Sequence, residues 1–349
     1  ISSFVAENNY SKIKFYTLAY HETDLIYARE VASCLNIPLK EVSLDLTDKK
    51  YEEITSTLLK HFEIPINFGL VALPLYIICE QMKKDGIKVL LDGTGADEAF
   101  GGYPGYLRVL ELNLLKARKI KSAFRYFHQA NLQQNIRGIH LLKRYILFLF
   151  RTFNSNLFIS DTTREHRGKL FNKYSKSNYT FEIEQVLKEC DGSKLFSPKE
   201  MQIDTLDKML VNYLVISDRA SMAHSIESRS PFLDYRLARY INLGLSDTFN
   251  KGFNKYLLRS IMPKVISDKV RWRRSKAGFS LVKKVMKYTQ SSEMIEREIL
   301  NSEILNHFFD LKPLLAEIDK KTTNSHVSTM KDNMFSVSQL EKLFEFDLD

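Results

Sequence analysis

The 349 residues are enough for one large domain or two modest ones, and 44% hydrophobic with 27% charged residues is the composition of a globular, soluble chain. Three scattered cysteines, Cys34, Cys79 and Cys190, exclude a disulfide framework or a cysteine-rich metal site and fit a reducing, cytoplasmic setting. The longest apolar run, Tyr145–Phe150, is far too short to span a membrane, and the formal charge of +9 is concentrated in one segment.

In chain order, Lys12–Tyr20 reads as a strand. Asp24–Leu35 carries Ile26, Ala28, Val31, Ala32 and Leu35 at helical spacing. Val42–Leu46 reads as a short strand. Tyr51–Phe62 reads as a helix with Ile54, Leu58 and Leu59 on one side. Pro74–Lys84 is a further helix, with proline in its first turn, where a missing N–H costs nothing. The strand Ile87–Leu91 follows. Strands alternating with helices predict right-handed crossovers and a parallel sheet holding Phe15–Leu18, Val42–Leu44 and Lys88–Leu91 together. Ligands of such sheets sit beyond the carboxyl ends of the strands.

At one such end stands "KVLLDGTGADEAFGGY", Lys88 to Tyr103. Gly93 and Gly95 permit positive φ and close backbone approach. Their amides, with a helix starting near Ala96, suit phosphate oxygens, and Asp97 in that first turn suits Mg²⁺ on a nucleotide. The same residues also fit a plain strand-to-helix turn, with Asp97 and Glu98 as first-turn acids favoured by the helix dipole. The residues after Tyr103 read as mainly helical.

Leu112–Ser160 holds nine basic residues and no acid: Lys116, Arg118, Lys119, Lys121, Arg125, Arg137, Lys143, Arg144 and Arg151. Elsewhere basic and acidic residues are equal in number. Such a segment is a solvated helical face, a dock for an acidic partner, or a binder of nucleic acid or anionic lipid. It lacks the signatures of a dedicated nucleic-acid module, so nucleic acid is the weaker reading. "SDRASMAHSIESRSPFLDYR", Ser217–Arg236, reads as a helix and the turn after it. It sets Asp218, Arg219, His224, Glu227, Arg229 and Asp234 among the anchors Met222, Ile226, Phe232 and Leu233. Charges among apolar anchors form paired networks, at a site or at a domain junction. "NKYLLR", Asn254–Arg259, opens a helix with Lys255, and "RSKAGFS", Arg274–Ser280, is a basic glycine-containing loop.

In this order the segments resemble the synthetase domain of the glutamine-hydrolysing asparagine synthetase family. That family writes Ser-Gly-Glu-Gly-Ala-Asp-Glu-Leu-Phe-Gly-Gly-Tyr where this chain has Asp92 to Tyr103. Its Asp-Arg-Met-Ser-Met-Ala-His-Ser-Ile-Glu-Ala-Arg-Val-Pro-Phe-Leu-Asp is matched from Asp218 to Asp234 with three differences. Gly-Lys-Tyr-Leu-Leu-Arg and Arg-Pro-Lys-X-Gly-Phe follow at Asn254–Arg259 and Arg274–Phe279.

The resemblance implies an α/β fold of the adenine nucleotide alpha-hydrolase type: a parallel sheet with flanking helices over 1–104, then a mainly helical part over 105–349. It implies ATP and Mg²⁺, a carboxylate activated by attack on the α-phosphorus, and an amine or ammonia that displaces AMP. Asp97 would ligate Mg²⁺, Lys255 would stabilise charge in both half-reactions, and Leu18 would hold adenine through its backbone. Asp92 and Gly93 would line the AMP position. Arg219, Glu227 and Arg229 would support the site, and Lys276 would either close over phosphate or lie on the surface.

Three departures accompany the resemblance. The family's pyrophosphate loop, Ser-Gly-Gly-X-Asp-Ser-Ser, is expected immediately before Ile1, because "ISSFVAENN" looks like the helix that follows it. The expectation is a truncated chain without ATP hydrolysis of its own. The glutaminase domain is expected in cis or in trans, and a homodimer is admitted. The family's Glu is Thr94 and its Ser is Asp92. A hydroxyl is no useful base near neutral pH, so either another acid (Glu98 or Glu227) serves, or the substrate pair differs from aspartate and ammonia. The contrasting reading is a non-catalytic scaffold whose basic helices bind a partner.

Overall fold

The computed structural model describes residues 1–3, 13–19, 22–43, 48–63, 72–133, 136–153, 173–176, 200, 202–203, 205–240, 248–274, 292–320 and 325–344. The chain packs as two compact units, each gathered from separated stretches. The first takes residues 1–44, 77–158 and 195–278, and the second 45–76, 159–194 and 279–349. Among the described residues no helix is long and apolar enough to cross a membrane.

The first unit opens with β1 (Phe15–Ala19), α1 (Glu22–Leu35) and β2 (Leu39–Ser43). The strands run parallel with Phe15 opposite Leu39 and Ala19 opposite Ser43, and α1 is the crossover that parallel neighbours require. Leu18 and Val42 are buried, side by side in that ladder. In α1 the buried positions are Leu25 and Ala32, whereas Ile26 is exposed, so the inward stripe is rotated from the one its periodicity suggested. Helix α2 (Asp48–Phe62) belongs to the second unit and buries Ile54, Leu58, Leu59 and Phe62, the side its spacing predicted. Helix α3 (Ala72–Lys84) carries Pro74 in its first turn, as expected, and leads through Asp85 to β3 (Val89–Leu91).

The expectation of one sheet holding β1, β2 and β3 is corrected here. Two separate two-stranded parallel sheets form among the described residues, and β3 pairs with β4 (Glu227–Arg229). The ladder bonds of β3 go to that strand: Glu227 N donates to Lys88 O at 2.8 Å and Asp92 N to Arg229 O at 3.1 Å. Glu-Ser-Arg shows no apolar alternation, so the sequence pattern hid β4 inside a presumed turn. The architecture is mostly helical with small parallel sheets.

After α4 (Ala96–Phe100) come α5 (Pro104–Lys116), α6 (Ile120–Gln133) and α7 (Gly138–Phe153). These three pack around Leu115, Ala123, Phe127 and Phe148. A π-helical turn, Thr205–Leu210, runs into α8 (Val211–Met222), which precedes β4. The antiparallel pair β5 (Phe249–Asn250) and β6 (Phe253–Asn254) leads to α9 (Tyr256–Ser260) and α10 (Asp268–Arg271). Trp272 then packs between Phe253 and Tyr256, and Arg273 returns to α1, where it binds Asp24 at 2.8 Å and covers the Tyr27 ring. The second unit is completed by α11 (Ser292–Leu300), α12 (Glu303–Phe308), α13 (Leu311–Lys320) and α14 (Ser325–Leu343). Its core is Ile299, Leu305, Leu314, Ile318, Met330 and Met334.

Candidate active site

The carboxyl end of β3 gives way to Asp92, Gly93 and Thr94, then to Gly95 with φ 91° at the start of α4. A side chain at Gly95 would be strained at that φ, and its Cβ would also lie 2.2 Å from Leu233 Cδ2. Phe100 packs edge-on against Phe232 with ring centroids 5.9 Å apart. The 3-10 turn after β4 is thus seated on the loop after β3, which brings two distant stretches of sequence to one place.

Three acids on this turn have three different environments. Asp92 is held by neutral donors. Its Oδ1 accepts from the Thr94 amide at 3.0 Å and from Ser230 Oγ at 2.7 Å, and its Oδ2 accepts from Ser228 Oγ at 3.3 Å. Asp97 is held by a cation, with its Oδ1 3.0 Å from Lys255 Nζ, and each of these side chains is about one quarter exposed. Glu98 points inward and is buried, accepting a 2.5 Å hydrogen bond from Tyr103 Oη, while Gln202 Nε2 donates to its backbone carbonyl at 2.6 Å. Burial and then Glu98 hold the Tyr103 phenol well above its ordinary range, so it stays protonated and donates. Burial likewise pushes Tyr106 up to about 12.

Of the two glycines before Tyr103, one answers a backbone demand and the other the Asp97–Lys255 pair. Gly101 ends α4 with φ 70°, the left-handed conformation that glycine adopts without strain. A Cβ on Gly102 would lie 1.6 Å from Asp97 Oδ1 and 2.6 Å from Lys255 Cε, so the pair crosses directly over a backbone without a side chain. Asn254, buried, donates from Nδ2 to Gly102 O at 2.7 Å. Arg259 in turn donates to Asn254 O at 2.7 Å and to Asn254 Oδ1 at 3.0 Å. Burial and the neighbouring Arg273 lower the pKa of Arg259. Lys255 itself sits at the start of α9 with φ 49°. A non-glycine residue held there costs energy that the surrounding contacts must supply.

Of the residues singled out from sequence, Asp92, Gly93, Asp97 and Lys255 gather at this end of the β3–β4 pair. Leu18 lies on the β1–β2 pair. Glu227 is exposed on β4, bound by Arg229 at 2.9 and 3.1 Å, and that guanidinium holds its carboxyl below the ordinary range. Lys276 lies outside the described residues. Sequence reasoning missed Ser228, Ser230, Tyr103, Asn254 and Gln202. Ser228 and Ser230 did leave a signal: they stand two apart, so in a strand they share one face, and that face meets Asp92.

Among the described residues no group of three or more His, Cys, Asp or Glu side chains converges on a metal site. A single carboxylate nevertheless suits Mg²⁺ on a nucleotide, since that ion takes most of its ligands from phosphates and water. Asp97, partly exposed beside a cation, is the group of that kind here.

The family model for asparagine synthase matches residues 1–345. An asparagine synthetase [glutamine-hydrolyzing] 1 of Bacillus subtilis (strain 168) is 27% identical over 284 residues, which is 79% of this chain and 43% of that protein. A putative asparagine synthetase [glutamine-hydrolyzing] 1 of Methanocaldococcus jannaschii is 34% identical over 112 residues, 31% of this chain and 20% of that protein. A putative asparagine synthetase [glutamine-hydrolyzing] of Mycobacterium tuberculosis (strain ATCC 25618 / H37Rv) is 26% identical over 261 residues, 72% of this chain and 38% of that protein. The chain spans less than half the length of these relatives. It belongs to the asparagine synthase family.

Proposed function

We propose that this member of the asparagine synthase family is the carboxylate-activating part of an AMP-forming, ATP-dependent amide ligase. The substrate carboxylate, most simply that of aspartate, attacks the α-phosphorus of ATP and pyrophosphate leaves. Ammonia or an amine then attacks the activated carbonyl, and AMP leaves. A glutaminase domain, in the same polypeptide or another, supplies the ammonia. The observation that carries this reading is the Asp97–Lys255 pair, fixed over Gly102 at the carboxyl end of a parallel strand.

Each residue has a task that its surroundings suit. Asp97 would hold Mg²⁺, which when bound offsets charge on the departing pyrophosphate. The Lys255 ammonium stabilises negative charge that develops on phosphate oxygens. It needs no reorganisation at that moment, because the backbone, Asp97 and the bare Gly102 have already fixed it. Asp92 and Gly93 line the AMP position, and Leu18 holds adenine through its backbone. Glu98 and Glu227 are already engaged by Tyr103 and Arg229, so both favour positioning roles over proton abstraction. The Thr94 hydroxyl is no base either. That observation favours a second reading within the same chemistry, in which the carboxylate or the amine differs from aspartate or ammonia.

The test is carboxylate-dependent exchange of labelled pyrophosphate into ATP, measured on the natural full-length gene product. Lys255→Ala should lower exchange roughly 10²–10³-fold with little change in ATP affinity. Asp97→Asn should lower it too, with partial recovery in excess Mg²⁺. If Thr94→Glu gains asparagine formation, aspartate and ammonia are the pair. Exchange with another carboxylate and no asparagine from either form selects the second reading. No exchange with any carboxylate rejects the ligase and leaves a scaffold.

A further inference from the structure

Helix α7 is apolar on two faces. Leu141, Tyr145 and Phe148 stand at spacing i, i+4, i+7, and Phe148 is buried against Phe127 of α6 with ring centroids 4.7 Å apart. Ile139, Leu142, Ile146 and Leu149 stand at i, i+3, i+7, i+10 and form a second stripe, with exposures of 60, 55, 47 and 57%. A helix packed by one face ordinarily shows polar side chains on the other, and a row of four large aliphatic groups in water marks an interaction surface.

The surroundings of that stripe are cationic. Lys143 lies on α7 itself, while Lys121 and Arg125 stand one turn apart on α6. With Lys251, in the turn between β5 and β6, Lys121 and Arg125 line a shallow cavity of about 420 Å³ beside the half-exposed ring of Phe124. Phe124 also abuts α7, with its ring 6.0 Å from Tyr145 and 5.7 Å from Phe148, so the cavity lies beside that helix. Lys121, Arg125, Lys143 and Lys251 make no ion pair among the described residues. From Leu112 to Ser160 there is no acid to answer them.

We infer that the α6–α7 surface lies flat on an anionic phospholipid membrane, with the aliphatic stripe at the headgroup–acyl boundary and the Lys121–Arg125–Lys251 cavity on headgroup phosphates. An amphipathic helix of 16 residues with cations beside its apolar row has the form of an interfacial anchor, not of a span. Nucleic acid would use the cations but has no use for a row of isoleucine and leucine. A second copy would set two acid-free basic surfaces against each other, and that repulsion disfavours self-association.

The experiment is cosedimentation of the natural full-length protein with vesicles of phosphatidylcholine alone or with phosphatidylglycerol added, at low and high salt. Binding is expected to the anionic vesicles at low salt and to weaken as salt rises. Leu142→Ser with Ile146→Ser, and separately Lys121→Glu with Arg125→Glu, should each lower partitioning by roughly tenfold or more, leaving melting temperature and pyrophosphate exchange unchanged. Four results overturn the inference. One is no vesicle binding at low salt. Another is binding that charge reversal removes but the serine pair leaves intact, the behaviour of a polyelectrolyte surface that would also take RNA. The third is a dimer that the serine pair dissociates. The last is a melting temperature lowered by the serine pair, which would make the stripe part of a packed core.

Discussion

Strand β3 is flanked by two aspartates, one before its amino end and one at its carboxyl end, and the two acids have opposite surroundings. Asp85, at the amino end before β3, is closed off by the protein. Lys40 Nζ approaches both its oxygens at 2.7 Å, Tyr16 Oη donates at 2.8 Å and Gln81 Nε2 at 3.1 Å. Asp92, at the carboxyl end of β3, is held by two serine hydroxyls and a backbone amide, all neutral. Asp85, answered by Lys40 of β2 and Tyr16 of β1, ties that strand pair to the residues before β3. Asp92 stands instead at the end of β3 that leads to the Asp97–Lys255 pair. The proposed chemistry lies at the second of these ends, the one where parallel sheets place ligands.

The comparison breaks most severely at Gly102. In Gly102→Ala the new methyl collides with Asp97 Oδ1, so the Asp97–Lys255 pair must move while the backbone need not. Exchange should fall by about 10²-fold with a smaller change in melting temperature, because displacing a preorganised group by an ångström is costly in rate. Near-normal exchange would show that this pair is not the reacting centre.

Asp92→Asn sharpens the contrast. The amide keeps the shape and can still accept from Thr94 and Ser230, so stability should stay within about 1 kcal/mol, while exchange falls by roughly an order of magnitude. The reverse outcome, lost stability with exchange retained, would make Asp92 another structural tie.

Asp85→Asn should do the opposite, with exchange unchanged at neutral pH and a lower melting temperature. The hydrogen bonds from Lys40 and Tyr16 lower the folded pKa of Asp85 from 3.8 to about 2. A depressed folded pKa means that this stabilisation is fully present above the unfolded value and is lost as pH falls through the folded one. The melting-temperature gap between wild type and variant should therefore be constant above about pH 5 and shrink as pH falls from 3.8 towards 2. A gap independent of pH in that window would remove Asp85 as the tie.

These regions also show what the sequence made legible. Strands β1 and β3, helices α1 to α4 and the glycine turn could be read because apolar periodicity, Pro74 and Gly95 act locally. The motif resemblance assigned Asp97 and Lys255 to one site, but their ion pair was not legible, since the two lie far apart in the chain and spacing says nothing about their meeting. Strand β4 was not legible. It is a strand because β3 offers it a ladder, and Glu227, Ser228 and Arg229 carry no alternation of their own. The same hidden strand is what delivers Ser228 and Ser230 to Asp92, so the support of that acid was hidden with it.

Isotope transfer tests the central claim most directly. Turnover by the natural full-length protein with a substrate whose carboxylate carries ¹⁸O should place one labelled oxygen in the phosphate of AMP, because attack on the α-phosphorus leaves that oxygen behind when the amine displaces AMP. Unlabelled AMP, or label in inorganic phosphate released together with ADP, would contradict it.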